Sequence, residues 1–291
     1  MFFQSEFSFD SILVIESLEE NHKTARKLAF DDLRVYGNTK NKPVTYCSIS
    51  SVAEFEKIIS DLVNDLTYGF NRVLSASCNK PIIHIEAHGS KHGIELIGEG
   101  EIYPWSEFID QCRKINRLTL NNLLVVLPIC EGFNSIRNVA INDLTPFWGL
   151  IGSELTINNT LEQFSAFYRL LFESDDLMDA FKQLDSRFSL YLCEQIFINV
   201  FLDYYTRHCV GSGKRERLEK LVTKFREKNP TDNFNQARKL FRSSLQDFES
   251  SFEKFKNRFL LADLQANSNR FNFDSEIIVD YAQKYFISNG A

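Results

Sequence analysis

Five short apolar runs, most of them followed by a segment with helical periodicity, set the strongest constraint on what this chain can fold into. They lie at residues 11–15, 44–49, 81–87, 123–129 and 147–152. The run at 123–129 is apolar at every position, as a parallel strand covered on both faces must be. After the first run, Ala25, Leu28, Ala29 and Leu33 recur on one helical face. After the second, Phe55, Ile58, Ile59, Leu62 and Leu66 do the same within a helix expected over 52–66. Between the third and fourth runs, residues 94–96 and 101–103 flank the turn Gly98-Glu99-Gly100 and read as a small hairpin. A helix over 106–115 follows it, and helices over 161–172 and 177–184 follow the fifth run. Strands alternating with helices predict an open, mostly parallel α/β sheet whose site sits at the carboxyl ends of the strands.

Past Ser189 no further strand is expected, so the chain is divided into residues 1–188 and a helical region, 189–291. Residues 190–205 read as an apolar helix, Gly211-Ser212-Gly213 as a break, and 214–228 as a charged amphipathic helix. After Pro230 comes a long helix in which Phe241, Leu245, Phe248, Phe252, Phe255 and Phe259 recur at alternating spacings of four and three. This heptad seam is expected to pack onto neighbouring helices or onto the sheet domain; the alternative is a docking surface for a regulator.

A formal charge of −6 and 25% charged residues argue against a chain built to grip phosphate backbones, which needs clustered Lys and Arg. No stretch approaches the ~20 uninterrupted apolar residues of a membrane span. Residues 1–10 carry Glu6 and Asp10 where a leader would be basic and then apolar, so a cytoplasmic chain is expected. The six cysteines, Cys47, Cys78, Cys112, Cys130, Cys193 and Cys209, include no CxxC pair, which suits a reducing compartment better than a disulfide framework or a zinc site.

The chemistry points to His88 and Cys130. Each is placed at or just beyond the end of a buried parallel strand, and such ends open on a common edge. A cysteine nucleophile needs an imidazole or a positive environment to supply thiolate, and His88 can serve. Gly89 leaves the neighbouring backbone unobstructed, so its N–H and that of Cys130 are candidate donors to an oxyanion. Gly132 allows a sharp turn behind the nucleophile. His84, His88 and His92 recur every fourth residue, but along a strand and loop this spacing does not converge on a metal, and no ligand set is expected. His84 is read as a packed or orienting residue. A nucleotide-binding domain would want a glycine-rich loop after the first strand; Glu16-Ser17-Leu18-Glu19-Glu20-Asn21 stands there instead.

Ile83-His84-Ile85-Glu86-Ala87-His88-Gly89 and Val125-Val126-Leu127-Pro128-Ile129-Cys130-Glu131-Gly132 resemble the paired histidine and cysteine motifs of caspase-like peptidases, particularly the CHAT group. The hairpin after His88 and Phe147-Trp148-Gly149-Leu150-Ile151-Gly152-Ser153 extend the resemblance over roughly residues 10–185. Of the Q-A-C-[RQG]-G signature of caspases proper, only Cys130 and Gly132 are matched.

The resemblance implies a caspase-like fold and endopeptidase activity through an acyl-enzyme on Cys130, with His88 as general base and no cofactor or metal. It implies charged residues beside the cysteine on the loops after the first and fifth strands. Glu16 and Glu154 are the candidates there, with Glu131 adjacent to the nucleophile, and such carboxylates would favour a basic side chain before the cut. It also implies a protein or peptide substrate, a regulatory protein partner, and a place in bacterial defence or stress signalling. The competing expectation is a catalytically silent caspase-like interaction module acting through its C-terminal helices.

Overall fold

The computed structural model describes residues 6–20, 24–75, 77–98, 100–155, 160–229, 248–267 and 269–287, together with 235, 238, 239 and 241. The chain divides into two compact units after Cys193.

The first unit is an eight-stranded sheet flanked by helices. Its strands are β1 Ser11–Ser17, β2 Val44–Ser48, β3 Pro81–Ser90, β4 Gly93–Glu95, β5 Ile102–Pro104, β6 Leu124–Leu127, β7 Gly149–Ser153 and β8 Phe188–Leu192. The main order is β2-β1-β3-β6-β7-β8, with the β4–β5 hairpin attached to the end of β3. All pairings from β2 to β7 along that path are parallel, and β8 closes the edge antiparallel to β7. The apolar runs become the central strands because both faces are covered: Ile12 to Ile15 and Leu124 to Leu127 are all buried. Each fully buried Leu, Ile or Val contributes about 1.5–3 kcal/mol.

The helix after β1 begins at Thr24–Lys27 (α1), runs as a π-helix over Leu28–Leu33 and continues as α2 Arg34–Lys40. Ala25, Leu28, Ala29 and Leu33 form its buried stripe. Helix α3, Val52–Tyr68, is started by the Ser51 hydroxyl, which accepts the Glu54 N–H. At its other end the buried Asp65 carboxylate accepts the N–H groups of Arg72, Val73 and Leu74, ordering the way to β3. Helix α4, Trp105–Leu118, joins the hairpin to β6; α5, Leu161–Ser174, and α6, Leu177–Phe181, lead to β8.

Strand β8 corrects the sequence reading. Phe188–Leu192 is a strand and not the start of a helix, and α7, Cys193–His208, begins only after it. Tyr191 and Leu192 are buried, Tyr191 packing its ring edge-to-face on Phe147 at 5.2 Å, which an edge strand achieves and a helix through Leu190 would not. The glycine triplet is likewise no break: Gly211 to Gly213 open helix α8, Gly211–Lys228, and the interruption falls at Cys209 and Val210.

The second unit is helical among its described residues. The phenylalanine seam packs within it. Phe252 and Phe259, on the helix Phe248–Leu260, are buried against Phe197 of α7 at 5.1 and 6.1 Å, and Phe252 also meets Phe201 at 5.1 Å. Phe241 packs with Leu218, Leu221 and Val222 of α8; Leu245 lies outside the described residues. Among the described residues no helix is long and apolar enough to cross a membrane.

Candidate active site

His88 and Cys130 are delivered to one edge of the sheet by neighbouring strands. In the β3–β6 ladder Ile82 pairs with Leu124 and His84 with Val126, an offset of 124 − 82 = 42 residues, and the same offset separates the two candidates, 130 − 88 = 42. The chains stay together beyond the ladder. A Cβ on Gly89 would stand 2.2 Å from Ile129 Cγ2 and 2.6 Å from the Cys130 carbonyl oxygen, so only glycine permits this approach.

His88 does not follow β3, as the sequence suggested, but lies within it. The strand continues to Ser90 because β4 folds back onto it, pairing His88 with Glu95 and Gly89 with Ile94. The Trp105 indole N–H donates to the Ser90 carbonyl at 2.9 Å and pins this hairpin to the start of α4. The His88 side chain is exposed.

Cys130 sits three residues past β6, farther than the sequence placed it. Pro128 brings no N–H to extend the ladder, and the Gly132 N–H donates to the Ile129 carbonyl at 3.0 Å to close a turn. Glu131 occupies the left-handed region with φ of 58°, a conformation that costs a non-glycine residue about 1–2 kcal/mol. Its carbonyl accepts the Asn134 N–H at 2.9 Å and its carboxylate the Asn134 side-chain N–H at 3.1 Å. Among the described residues the N–H groups of Cys130 and Glu131 have no partner, and no hydrogen bond joins the His88 ring to the Cys130 thiol. The Glu131 N–H is a further oxyanion-donor candidate that the sequence reading did not name.

All six cysteines are free, and Cys130 is half-buried. Burial raises the thiol pKa of Cys47, Cys78, Cys112 and Cys209, while Cys193 is buried and donates to Asn121. Those thiols are the less ready nucleophiles.

Behind His88 lies a buried polar cluster that sequence reasoning missed. His84, Glu86 and His88 share one face of β3, and Glu86 stands in register with Glu16 of β1. His84 Nδ1 meets the Tyr168 hydroxyl at 3.0 Å and Nε2 meets the Glu86 carboxylate at 3.1 Å, placing His84 as the packed residue expected. The other Glu86 oxygen accepts the Thr24 hydroxyl. Glu16 accepts the Tyr46 hydroxyl at 2.5 Å and the Arg26 N–H at 3.2 Å. Burial, then the hydrogen bond and charge of Glu16, raise the Tyr46 pKa; burial, then the Glu86 charge, hold that of Tyr168 well up.

This corrects the placement of Glu16, expected on the loop after the first strand. It is a strand residue, wholly buried, with both oxygens engaged. Burial raises its pKa, the Tyr46 and Arg26 hydrogen bonds work against that, and the Glu86 charge adds to it. Glu154 is exposed just past β7, and Glu131 is half-buried beside Cys130. An acidic cavity of about 290 Å³ opens at the carboxyl edge between Leu18, Glu19 and Glu20 after β1, Ser48 at the end of β2 with Ile49 and Ser50 beyond it, Glu54 of α3, and Ile97 beyond β4. Among the described residues no three His, Cys, Asp or Glu side chains are grouped to hold a metal ion.

No protein-family model matches the chain, and no curated protein matches it at a significant level.

Proposed function

We propose that this protein is a cysteine endopeptidase whose nucleophile is Cys130 and whose general base is His88. The reading is carried by one observation: Gly89 lies so tightly against Ile129 and Cys130 that the histidine and the cysteine are held at one edge of the sheet. The resemblance of the two flanking motifs to CHAT-type peptidases supports it.

In this mechanism His88 takes the thiol proton and Cys130 Sγ attacks the scissile carbonyl carbon. The carbonyl electron pair moves onto oxygen, where the N–H groups of Cys130, Glu131 and Gly89 stabilise it. As the intermediate collapses, the C–N bond breaks and His88 returns its proton to the leaving amine. Water, deprotonated by His88, then cleaves the thioester and restores the thiol. No cofactor enters the cycle.

His88 is exposed and Cys130 lies in a turn, with no hydrogen bond between them among the described residues, so a substrate or regulatory protein that shifts the β3–β4 hairpin would strengthen a coupling that the resting pair already has in part. The resemblance supports cytoplasmic work in bacterial defence or stress signalling. Glu131 and Glu154, with the acidic cavity, favour a cationic side chain on the substrate. Glu16, being buried and engaged, is assigned no direct part in binding. A silent interaction module working through the phenylalanine seam is the weaker reading, because Phe252 and Phe259 are used up inside their own unit.

The test is a peptidyl acyloxymethyl ketone probe with lysine next to the reactive group. It should label Cys130 alone among the six cysteines, more readily than its aspartate counterpart, and Cys130→Ala or His88→Ala should abolish labelling. Absence of labelling at Cys130, or labelling indifferent to His88→Ala, overturns the assignment.

A further inference from the structure

Two carboxylates buried side by side are an expensive way to fill a core. An apolar pair of similar volume would be as stable or more so, since each charge must be taken out of water. Glu16 and Glu86 stand in register on adjacent strands, both facing the helix layer, and among the described residues neither has a Lys or Arg side chain as its hydrogen-bond partner. What they do engage is one place in the chain. Glu86 accepts the hydroxyl of Thr24, the first residue of α1, and Glu16 accepts the N–H of Arg26 in the same turn. The far side of the cluster is fixed by the rigid layer: Glu86 to His84, His84 to Tyr168 of α5, and Glu16 to Tyr46 of β2.

We propose that Glu16 and Glu86 are positioning residues: they clamp the start of α1 to the carboxyl edge of the sheet and so fix residues 18–20 of the β1–α1 loop, which wall the acidic cavity at the same edge of the sheet as the candidate active site. Leu18, Glu19 and Glu20 of that loop line the cavity, and Arg26 ion-pairs with Glu20 at 3.5 Å, coupling the clamped turn to the wall itself. Neither carboxylate touches substrate. Their effect is on recognition of the peptide, and the intrinsic reactivity of Cys130 is independent of them. The recognition half of this proposal rests on the peptidase reading.

Thr24→Val tests it with little risk to folding, because it removes only the hydroxyl that Glu86 binds and leaves both carboxylates in place. Hydrogen exchange at the Ala25 and Arg26 amides should quicken about tenfold, the scale of one lost hydrogen bond. Labelling by the lysine-bearing peptidyl probe should weaken about tenfold at subsaturating probe, while alkylation of Cys130 by iodoacetamide keeps its wild-type rate. Thr24→Ser, which restores the hydroxyl, should restore both. The proposal is overturned if Thr24→Val exchanges and labels like wild type, or if peptidyl labelling and iodoacetamide alkylation fall together, which marks a general structural loss. A wild-type protein that resists the peptidyl probe ends the peptidase reading and the recognition half with it; the exchange rates then decide the clamp alone, unchanged rates refuting it.

Discussion

Gly89 and Cys130 approach so closely that the carbonyl oxygen of one occupies the space a Cβ of the other would need, 2.6 Å away. This contact continues a register already set deep in the sheet, where β3 and β6 pair residues 42 apart. His88 thereby arrives level with Cys130 without any long loop having to bring it there.

The first prediction follows from that contact. Gly89→Ala would drive a methyl group into Ile129 Cγ2 and the Cys130 carbonyl, and the β3 end and the cysteine turn must part. Overpacking of this kind costs about 1–3 kcal/mol, which urea denaturation would read. Probe labelling of Cys130 should fall at least tenfold, the consequence of roughly 1.4 kcal/mol of lost positioning. Wild-type labelling in a folded Gly89→Ala protein would contradict the arrangement.

Glu131 is held in the left-handed region immediately after the nucleophile candidate. Glu131→Gly relieves that strain while forfeiting the carboxylate bond to Asn134, for a net stabilisation of up to about 1 kcal/mol. The backbone N–H stays where it was, so alkylation of Cys130 by iodoacetamide should be retained, while the preference of the peptidyl probe for lysine over aspartate should narrow. Denaturation curves that show Glu131→Gly to be markedly less stable would mean the carboxylate contributes more than the backbone strain costs.

Glu16 carries a pH dependence whose sign is fixed by its surroundings. Its folded pKa is raised, chiefly by burial, so the folded state holds this proton more tightly than the unfolded chain does. Its contribution to stability is therefore complete below the ordinary Glu pKa, about 4.3, and is lost as pH rises from there through the raised folded value. Glu16→Gln removes that term. Melting temperatures taken at steps across this range should show the variant gaining on wild type as pH rises; a constant difference would mean that Glu16 titrates alike in both states.

In the second unit, Phe252→Ala opens a void between Phe197, Phe201 and Phe273, whose ring centroids lie 5.1, 5.1 and 6.2 Å from that of Phe252. Deleting a fully buried phenylalanine costs about 3–5 kcal/mol. Exchange protection in the helix Phe248–Leu260 and in α7 should collapse. Preserved protection there would show that the seam is not the core of this unit.

The central strands were legible because burial on both faces leaves a continuous apolar run, and the seam because seven-residue periodicity survives any packing partner. Strand β8 was not, since Phe188-Ser-Leu-Tyr-Leu192 merges without punctuation into the apolar opening of α7. His88 and Cys130 were legible as strand-end residues, though their ends were misplaced: β4 lengthens β3 beyond His88, and Pro128 shortens β6 ahead of Cys130. The buried carboxylates escaped notice because a glutamate closing an apolar run reads as the strand's exit into solvent. The one signal was the alternation His84-Ile85-Glu86-Ala87-His88, which sets three polar groups on a single face.

Activation of the Cys130 sulfur by the His88 imidazole is read most directly by the rate of Cys130 alkylation by iodoacetamide across pH. Cys130 should react ahead of the other five cysteines at neutral pH, and His88→Ala should slow it by about tenfold or more while leaving the others unchanged. An alkylation profile for Cys130 that is the same with and without His88 would contradict that activation.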